Sequence, residues 1–487
     1  MSSNDPPRHV VGRSSEKERL AAALNSPDPE LIAIYGRRRV GKTFLIREFF
    51  RNEIVFELTG LHNEPMGRQL ENCAISLRRH FPGQFVSTPP SWLEAFEQIK
   101  DSIQASAESP TRKQVLFFDE FPWLATRRSG FLAAFEAFWN TFASRRPDLM
   151  VIICGSAASW MIRKVINSKG GLHNRTTVRI CLKPFTLHET REYLEHRRVK
   201  LSEFQMAQLY MAVGGVPHYL NYIQPGQSVA QNIDRLCFAK DGLLVDEYQH
   251  LYAALFDDST NHESIVRALA STGRGLTRNE LLTATSLKSG GAATSALREL
   301  IQSGFVHECP PRNNKTKDAI FRLADEYSLF YLKWIKSNRT SGTNIWLQKA
   351  AGRKYASWCG YAFESLCLKH IVQIKVALGI AGVETTESSW FYRPKSKNGE
   401  GAQIDLVIDR RDQCINISEM KFSENPFVIN KRYAADLARK LRVFRERTGS
   451  KSTLFLTMIT SSGVKQNDYA RDLVTSEVLL ADLFASP

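Results

Sequence analysis

Long apolar runs are absent from this sequence of 487 residues. A helix that crosses a bilayer needs about twenty consecutive apolar residues, and no stretch of the sequence approaches that length. The first nine residues are polar and contain proline, unlike the apolar centre of a secretory signal. We therefore expect a soluble, cytoplasmic protein that has no membrane partner.

Closely spaced pairs of cysteine are also lacking. The eight cysteines occur singly, and several of them lie within apolar runs. Zinc sites and disulfide frameworks use cysteines at regular, paired spacings. The pattern therefore favours reduced thiols over either kind of crosslink.

Acidic residues are too few to balance the basic ones. The chain has 65 Lys and Arg against 50 Asp and Glu, which gives a net charge of +15. A surplus of this size favours a polyanionic partner through counterion release. Nucleic acid is the first candidate for that partner, and a basic surface that only keeps the protein soluble is the alternative.

A phosphate-binding loop of the Walker A type is the feature around which the chain is organised. An apolar run at residues 31–35 precedes it, and an amphipathic stretch at residues 44–50 follows it. Glycines let consecutive N–H groups turn toward a polyphosphate, Lys42 would reach its β- and γ-phosphates, and the Thr43 hydroxyl would bind Mg²⁺. The predicted contact residues are Gly36, Arg37, Arg38, Arg39, Val40, Gly41, Lys42, Thr43 and Phe44.

Two further apolar strands end in polar residues that suit the same chemistry. Residues 115–118 lead into Asp119 and Glu120, which is the Walker B form. Asp119 would hold the Mg²⁺ shell, and Glu120 would polarise the attacking water. Residues 149–155 lead into Ser156, which is either a sensor hydroxyl beside the γ-phosphate or a helix cap.

From residue 10 to about residue 220 these features resemble the AAA+-like ATPases of the STAND and archaeal-type group. The resemblance makes Val11, Gly12 and Arg13 a nucleotide-base box and implies ATP and Mg²⁺ as cofactors. Residues 171–176 are similar to the family's glycine-arginine turn, although Asn174 stands where glycine is usual. Arg175 is then either a γ-phosphate sensor or arginine finger, or a surface arginine at a turn.

The same resemblance extends to a helical lid. Residues 185–252 have helical spacing, and residues 214–220 resemble the Gly-x-Pro motif of that lid, which implies that Pro217 contacts the nucleotide. An arginine supplied by a neighbouring subunit, such as Arg127 or Arg128, would make the active form a homo-oligomer. The sequence leaves open which arginine acts.

Residues 262–323 have the pattern of a winged helix. Three helices precede two strands, 305–309 and 319–323, which flank a basic polar turn. In one interpretation the third helix enters a DNA major groove with Ser289, Thr294, Ser295 and Arg298, while Arg312, Lys315 and Lys317 contact phosphates. In the other, the module only packs against the ATPase and keeps it shut.

The C-terminal region resembles the PD-(D/E)xK nuclease superfamily. Its predicted order is α-β-β-α-β, with a helix over residues 358–378, strands at 403–408 and 415–421, a basic helix at 432–447 and a strand at 452–456. Asp405 and Glu419 would share Mg²⁺, Glu364 would supply a further ligand, and Lys421 would orient the attacking water. The basic helix is either a surface for a duplex backbone or a solvated face.

Together these patterns predict a multidomain α/β protein. We assign residues 1–180 to a P-loop ATPase core, 181–255 to a helical lid, 256–335 to a winged helix and 345–487 to a restriction-endonuclease-like domain. The predicted function is that of a DNA-associated ATPase whose nucleotide state gates a metal-dependent nuclease. The alternative is a STAND-type nucleotide switch or scaffold with a non-catalytic C-terminal domain.

Overall fold

The computed structural model describes residues 10–106, 113–167, 172, 174–256, 258–273, 275–310, 312, 319–338, 344–350, 352–392, 394 and 400–486. The chain divides into two compact units, Met1–Lys183 and Pro184–Pro487. Every helix in the described part of the chain is too short or too polar to span a membrane. All eight cysteines are free thiols.

A parallel sheet of five strands forms the centre of the first unit. The strands are β1 (Glu30–Tyr35), β2 (Ile54–Thr59), β3 (Gln114–Asp119), β4 (Leu149–Gly155) and β5 (Val178–Cys181). Their order is β2-β3-β4-β1-β5, and each neighbouring pair is parallel. Strands β3 and β4 are buried along their whole length, which explains their nearly unbroken apolar sequences.

Helices cover both faces of this sheet. One hydrophobic core holds α1 (Ser14–Leu24) and α2 (Lys42–Phe49), and the other holds α3 (Met66–His80), α4 (Trp92–Ala105) and α6 (Phe131–Thr141). The short helices α5 (Phe121–Leu124) and α7 (Ala158–Met161) follow the carboxyl ends of β3 and β4. Because β1, β3 and β4 are parallel neighbours, their carboxyl ends meet at one edge, where the predicted phosphate loop and acids lie.

The second unit begins with helices. They are α8 (Leu187–His196), α9 (Glu203–Val213), α10 (Pro217–Leu220), α11 (Val229–Cys237) and α12 (Glu247–Ala253). Capping boxes at Thr186, Ser202 and Ser228 start α8, α9 and α11, since each hydroxyl accepts a hydrogen bond from the backbone N–H three residues later. The helical pattern predicted for residues 185–252 therefore forms several short helices.

A small sheet with helices follows. Its elements are α13 (Thr260–Ala270), β6 (Leu276–Thr277), α14 (Arg278–Thr285), α15 (Gly291–Gln302), β7 (Val306–Cys309) and β8 (Ile320–Leu323), and α16 (Glu326–Phe330) comes directly after. The three strands are antiparallel in the order β6-β8-β7. Strand β6 was not predicted, because two residues are too short to give a pattern. Lys315 and Lys317 lie outside the described residues.

The last part of the unit is a mixed sheet between helices. Its elements are α17 (Ile345–Lys349), α18 (Arg353–Lys369), α19 (Ile371–Ala377), β9 (Thr385–Tyr392), β10 (Ala402–Arg410), β11 (Cys414–Lys421), α20 (Lys431–Thr448), β12 (Thr453–Thr460), α21 (Asp468–Leu473) and β13 (Ser476–Leu479). The strand order is β13-β12-β11-β10-β9. Strands β9, β10 and β11 are antiparallel, and β11, β12 and β13 are parallel.

Hydrophobic packing joins this sheet to the rest of its unit. Leu406, Ile408 and Met420 belong to one hydrophobic core. The same core includes residues of the helices that begin the unit, of the small sheet and of α18. The opposite face packs against α20 through Val443 and Phe444. The sheet thus lies between α18 and α20.

Two predictions for this region were wrong. The single helix expected over residues 358–378 is broken at His370. The N–H of His370 donates to Cys367 O at 3.0 Å in a tightened last turn. The His370 ring accepts a hydrogen bond from the N–H of Leu187. The expected order α-β-β-α-β lacked the two edge strands, β9 and β13. Both edge strands carry polar residues and have no clean alternation, so periodicity could not reveal them.

Candidate functional site

The loop between β1 and α2 depends on glycine at both ends. Gly36 has φ 147°, and a Cβ there would lie 2.2 Å from the carbonyl oxygen of Leu182. Gly41 has φ 91° and is the residue before the first turn of α2. Side chains are strained at both positions, so the backbone can curl as the Walker A pattern predicts.

The first turn of α2 provides N–H groups for an anion. Helix α2 begins at Lys42, so the N–H groups of Lys42, Thr43 and Phe44 have no partner within the helix. The Phe44 side chain is 43% exposed. A helix start of this kind attracts phosphate through its N–H groups and its dipole.

Lys42 lies buried in the mouth of the loop. Its ammonium donates to Gly36 O at 2.8 Å, to Arg37 O at 2.9 Å and to the Ser156 hydroxyl at 3.3 Å. The side chain therefore joins residues of the loop to the end of β4. Of the remaining loop residues, Val40 is buried in the core, whereas Arg38 and Arg39 are partly exposed.

Thr43 and Asp119 are in direct contact. The Thr43 hydroxyl donates to Oδ2 of Asp119 at 2.8 Å, and Oδ1 accepts from the Glu120 N–H at 3.0 Å. Burial raises the pKa of Asp119, and the hydrogen bond from Thr43 acts against that rise. Hydroxyl and carboxylate oxygens are the ligands that Mg²⁺ prefers, so these two residues fit the ion.

Glu120 is held by Ser156. The Ser156 hydroxyl donates to Oε1 at 2.7 Å, and its backbone N–H donates to Oε2 at 3.3 Å. Glu120 also has φ 43°, a left-handed conformation that costs free energy in a residue with a side chain. Strained residues of this kind concentrate at functional sites.

The segment before α1 contacts the phosphate loop. Gly12 and Arg13 both have positive φ, 66° and 58°, and Val11 precedes them. The guanidinium of Arg13 is buried and donates to Val40 O at 3.1 Å. This segment is therefore connected to the phosphate loop.

The other predicted nucleotide contacts are Arg175 and Pro217. Arg175 is exposed in a turn, and its N–H donates to Leu172 O at 3.1 Å. Asn174, which stands in place of the usual glycine, has φ 54°, and asparagine is among the side chains that best tolerate this conformation. Pro217 is the first residue of α10, in the second unit.

The sheet order, the phosphate loop and the paired acids define a P-loop nucleoside triphosphatase. Residues 10–223 match the family model for an ATPase domain predominantly from Archaea, so this part of the chain is an ATPase domain and the prediction of an ATPase is confirmed.

Three known proteins are similar to parts or most of the chain. An uncharacterized protein of Methanocaldococcus jannaschii is 22% identical over 444 residues, which cover 89% of this chain and 92% of that protein. An uncharacterized ATP-binding protein of the same organism is 49% identical over 43 residues, 9% of this chain and 73% of that one. The Walker-type ATPase of Pyrococcus abyssi has a similar solved structure, with 18% identity and a TM-score of 0.49 over 68% of this chain and 99% of that chain.

A second cluster of predicted site residues lies in the C-terminal sheet. Strands β10 and β11 pair with Leu406 opposite Ser418, which brings Asp405 and Glu419 to adjacent positions on neighbouring strands. Glu364 extends from α18, and Asp405 and Lys421 are among the charges that act on it. Burial and the charge of Asp405 raise the pKa of Glu364.

The carboxylates of this cluster are bound by basic and hydroxyl groups of the chain. Arg322 on β8 donates to Asp405 Oδ1 at 2.6 Å and to Glu364 Oε2 at 3.2 Å. Glu419 accepts from the Tyr433 hydroxyl at 2.8 Å and from Lys440, and Lys421 lies 3.5 Å from its Oε2.

Among the residues that the structure describes, no three His, Cys, Asp or Glu side chains converge to hold a metal ion. In this arrangement the three acids therefore do not fit the shared Mg²⁺ site that we expected from the sequence.

Basic residues that we expected to contact nucleic-acid phosphates, Arg312 and those of α20, form ion pairs with acids of the chain. Arg312 forms an ion pair with Asp409 at 2.8 Å, and its guanidinium lies 5.2 Å from the centre of the Phe444 ring. On α20, Lys440 binds Glu419, and Arg439 and Arg442 bind Asp436 and Glu400. These arginines and this lysine thus neutralise the negative charge of acids in the same unit.

Arg322 and Tyr433 were not predicted from the sequence, and Lys440 was expected only as part of the basic face of α20. Tyr433 and Lys440 are seven residues apart on α20, so they share a helix face and could have been paired by spacing. Arg322 had no such signal, because it lies 83 residues from Asp405 in the sequence.

Proposed function

We propose that the protein uses ATP binding and hydrolysis to control a DNA-processing centre in its second unit. The observation that carries the ATP part is the hydrogen-bonded connection from Lys42 through Ser156 to Glu120. These three side chains lie together at one edge of the parallel sheet, where Lys42 would bind phosphate, Ser156 would sense it and Glu120 would act as the base.

Each residue of that edge would take one part in hydrolysis. The N–H groups of α2 and the Lys42 ammonium would bind the phosphates, and Glu120 would accept a proton from the attacking water. Val11, Gly12 and Arg13 would contact the base. Arg175, or an arginine of a neighbouring subunit in a homo-oligomer, would stabilise the charge that develops on the γ-phosphate, and Pro217 would contact the nucleotide from the lid.

Thr43 and Asp119 would hold the Mg²⁺ ion that accompanies ATP. When bound, the ion neutralises phosphate charge. The hydroxyl and the carboxylate are hydrogen-bonded to each other, so both oxygens are directed at one place.

Two variants test the hydrolytic assignment. Lys42→Ala should abolish ATP binding, because it removes the buried cation that lies in the mouth of the loop. Glu120→Gln should retain ATP binding and lower turnover by about 10²- to 10⁴-fold, since the amide cannot accept the proton. Lys100→Ala, which changes a partly exposed lysine on α4 paired with Glu97, is the control. Unchanged turnover in both test variants would refute the assignment.

We also assign modules to the chain after residue 180 as part of the proposal. Residues 181–255 would be the lid, 256–335 a winged helix and 345–487 a nuclease-like domain. The order of α13, β6, α14, α15, β7 and β8 supports the winged helix. Asp405 and Glu419 on neighbouring strands, with Lys421 two residues beyond Glu419, support the nuclease-like domain.

The alternative function is a nucleotide switch whose C-terminal domain only binds partners. The ion pairs that engage Glu364, Asp405 and Glu419 favour it, because they leave the acids charge-compensated without a metal. Nicking of plasmid DNA with Mg²⁺ or Mn²⁺, measured with and without ATP, separates the two functions. Cleavage that is lost in Asp405→Ala and Lys421→Ala supports the DNA-processing function, and no cleavage under any nucleotide condition supports the switch.

A further inference from the structure

Arg322 occupies the centre of the C-terminal acidic cluster. It lies on β8 with 8% of its surface exposed, and its two terminal nitrogens reach different acids. One donates to Asp405 at 2.6 Å and the other to Glu364 at 3.2 Å. A single guanidinium thus bridges two carboxylates that we expected to bind a metal.

The bridge provides the positive charge that these acids need. The guanidinium of Arg322 is in direct contact with both acids, so one positive charge faces two negative ones. Two neighbouring, partly buried carboxylates would otherwise repel each other. A divalent cation would serve the same purpose, and it would need the same oxygens.

The hairpin of β7 and β8 contacts the sheet at a second point. Arg312 binds Asp409, which lies on β10 four residues after Asp405. The two arginines therefore engage two acids of the same strand. Only Arg322 reaches the candidate centre, so Arg312 is a matched control for the attachment of the hairpin.

We propose that Arg322 is an internal plug that competes with a divalent cation for Asp405 and Glu364 and keeps the centre free of metal. The proposal rests on the DNA-processing function, because a plug of this kind regulates only a centre that works with metal. Whether the cluster can bind a metal ion then depends on the position of the Arg322 guanidinium, which is set by β8.

The test is Mn²⁺ binding to the full chain without nucleotide, measured by electron paramagnetic resonance. Arg322→Gln should bind one more Mn²⁺ than the unaltered protein, or bind it about tenfold more tightly. Arg322→Gln combined with Asp405→Asn should lose the gain. Arg312→Gln should show no gain, although it also removes an ion pair between the hairpin and β10.

Equal Mn²⁺ binding by the unaltered chain and Arg322→Gln would overturn the proposal, as would a gain that survives Asp405→Asn. If Arg322→Gln does not fold, Arg322→Lys replaces it. Lysine retains the charge but has one ammonium in place of a fork, so it cannot bridge both acids in the same geometry. We expect a smaller gain in Mn²⁺ binding, and no gain in a folded Arg322→Lys overturns the plug.

The same variants separate this proposal from the function on which it rests. If Arg322→Gln gains the Mn²⁺ site but cleaves no DNA, the plug is correct and the DNA-processing function is wrong. If Arg322→Gln gains no site while the unaltered chain cleaves DNA in a manner that needs Asp405, the function is correct and the plug is wrong.

Discussion

The hydroxyl of Ser156 donates a hydrogen bond to Oε1 of Glu120 at 2.7 Å, and the same hydroxyl accepts one from the ammonium of Lys42 at 3.3 Å. Ser156 comes directly after β4, and Glu120 comes directly after β3. The serine therefore fixes the orientation of the carboxylate that we assign as the base. It does so from a neighbouring strand of the parallel sheet.

Ser156→Ala should lower the rate of ATP turnover by about 10- to 100-fold, because Glu120 loses the hydroxyl that orients it. ATP affinity should change far less, since Lys42 and the α2 N–H groups remain. Steady-state kinetics give the turnover number, and binding of a fluorescent ATP analogue gives the affinity. Ser159→Ala, in the same segment, is the matched control, and equal turnover in the two variants would contradict the role of Ser156.

Gly36→Ala should destabilise the first unit by roughly 3 kcal/mol, because the new methyl group would meet the Leu182 carbonyl at a φ that side chains rarely adopt. Gly67→Ala is the control. Its Cβ would have no atom within 4 Å, and Gly67 lies in a helix, where alanine is preferred. Urea unfolding measures both changes. A Gly36→Ala protein as stable as Gly67→Ala would show that the loop does not need this close approach.

Lys369→Met should destabilise the second unit by about 3 to 5 kcal/mol. Glu326 is buried, and its two carboxylate oxygens accept from the Lys369 ammonium at 2.6 and 2.7 Å. Without that cation a buried charge remains uncompensated. Adding Glu326→Gln should recover part of the loss, because the charge is then removed as well.

The control for this pair is Lys375→Met. Lys375 binds Glu387 at 3.1 Å, but both side chains keep contact with water. Loss of a partly exposed ion pair costs at most about 1 kcal/mol. Thermal unfolding of the two lysine variants should therefore differ clearly, and equal losses would mean that burial of Glu326 does not set the cost.

His370 should make the second unit sensitive to mild acid. Its Nε2 accepts the Leu187 N–H at 2.9 Å, and Nδ1 bonds to Leu366 O, so the buried ring is neutral. Burial lowers the pKa of His370 from 6.5 to about 4. The unfolded chain binds the proton first, so stability is complete above pH 6.5 and is lost as the pH falls toward 4.

At pH 5 this loss should be about 2 kcal/mol relative to pH 8. His370→Gln should be less stable than the unaltered chain at pH 8, but it should lack this component of the loss on acidification. Urea unfolding of both proteins at the two pH values gives the difference. An identical pH dependence in both would contradict a neutral His370 in the folded state.

The sequence alone was sufficient for the ATPase half of the molecule. Buried parallel strands are apolar runs, and the phosphate loop depends on glycines and on a helix start that lie within a few residues of one another. These are local properties, so the sequence could predict roles for Gly36, Lys42 and Asp119 before any contact was known, and those roles are still predictions. The predicted roles of Arg175 and Pro217 remain predictions.

The second unit depended on contacts between distant parts of the chain. The pattern of strands in residues 403–421 predicted that Asp405 and Glu419 would be neighbours, and the register of β10 and β11 agrees with this. It could not predict that Arg322 would bind Asp405, or that His370 would end a helix by accepting the N–H of Leu187. Local sequence determines which acids face a sheet edge, but the group that neutralises them is determined by how separate elements pack, and only the tertiary structure decides that.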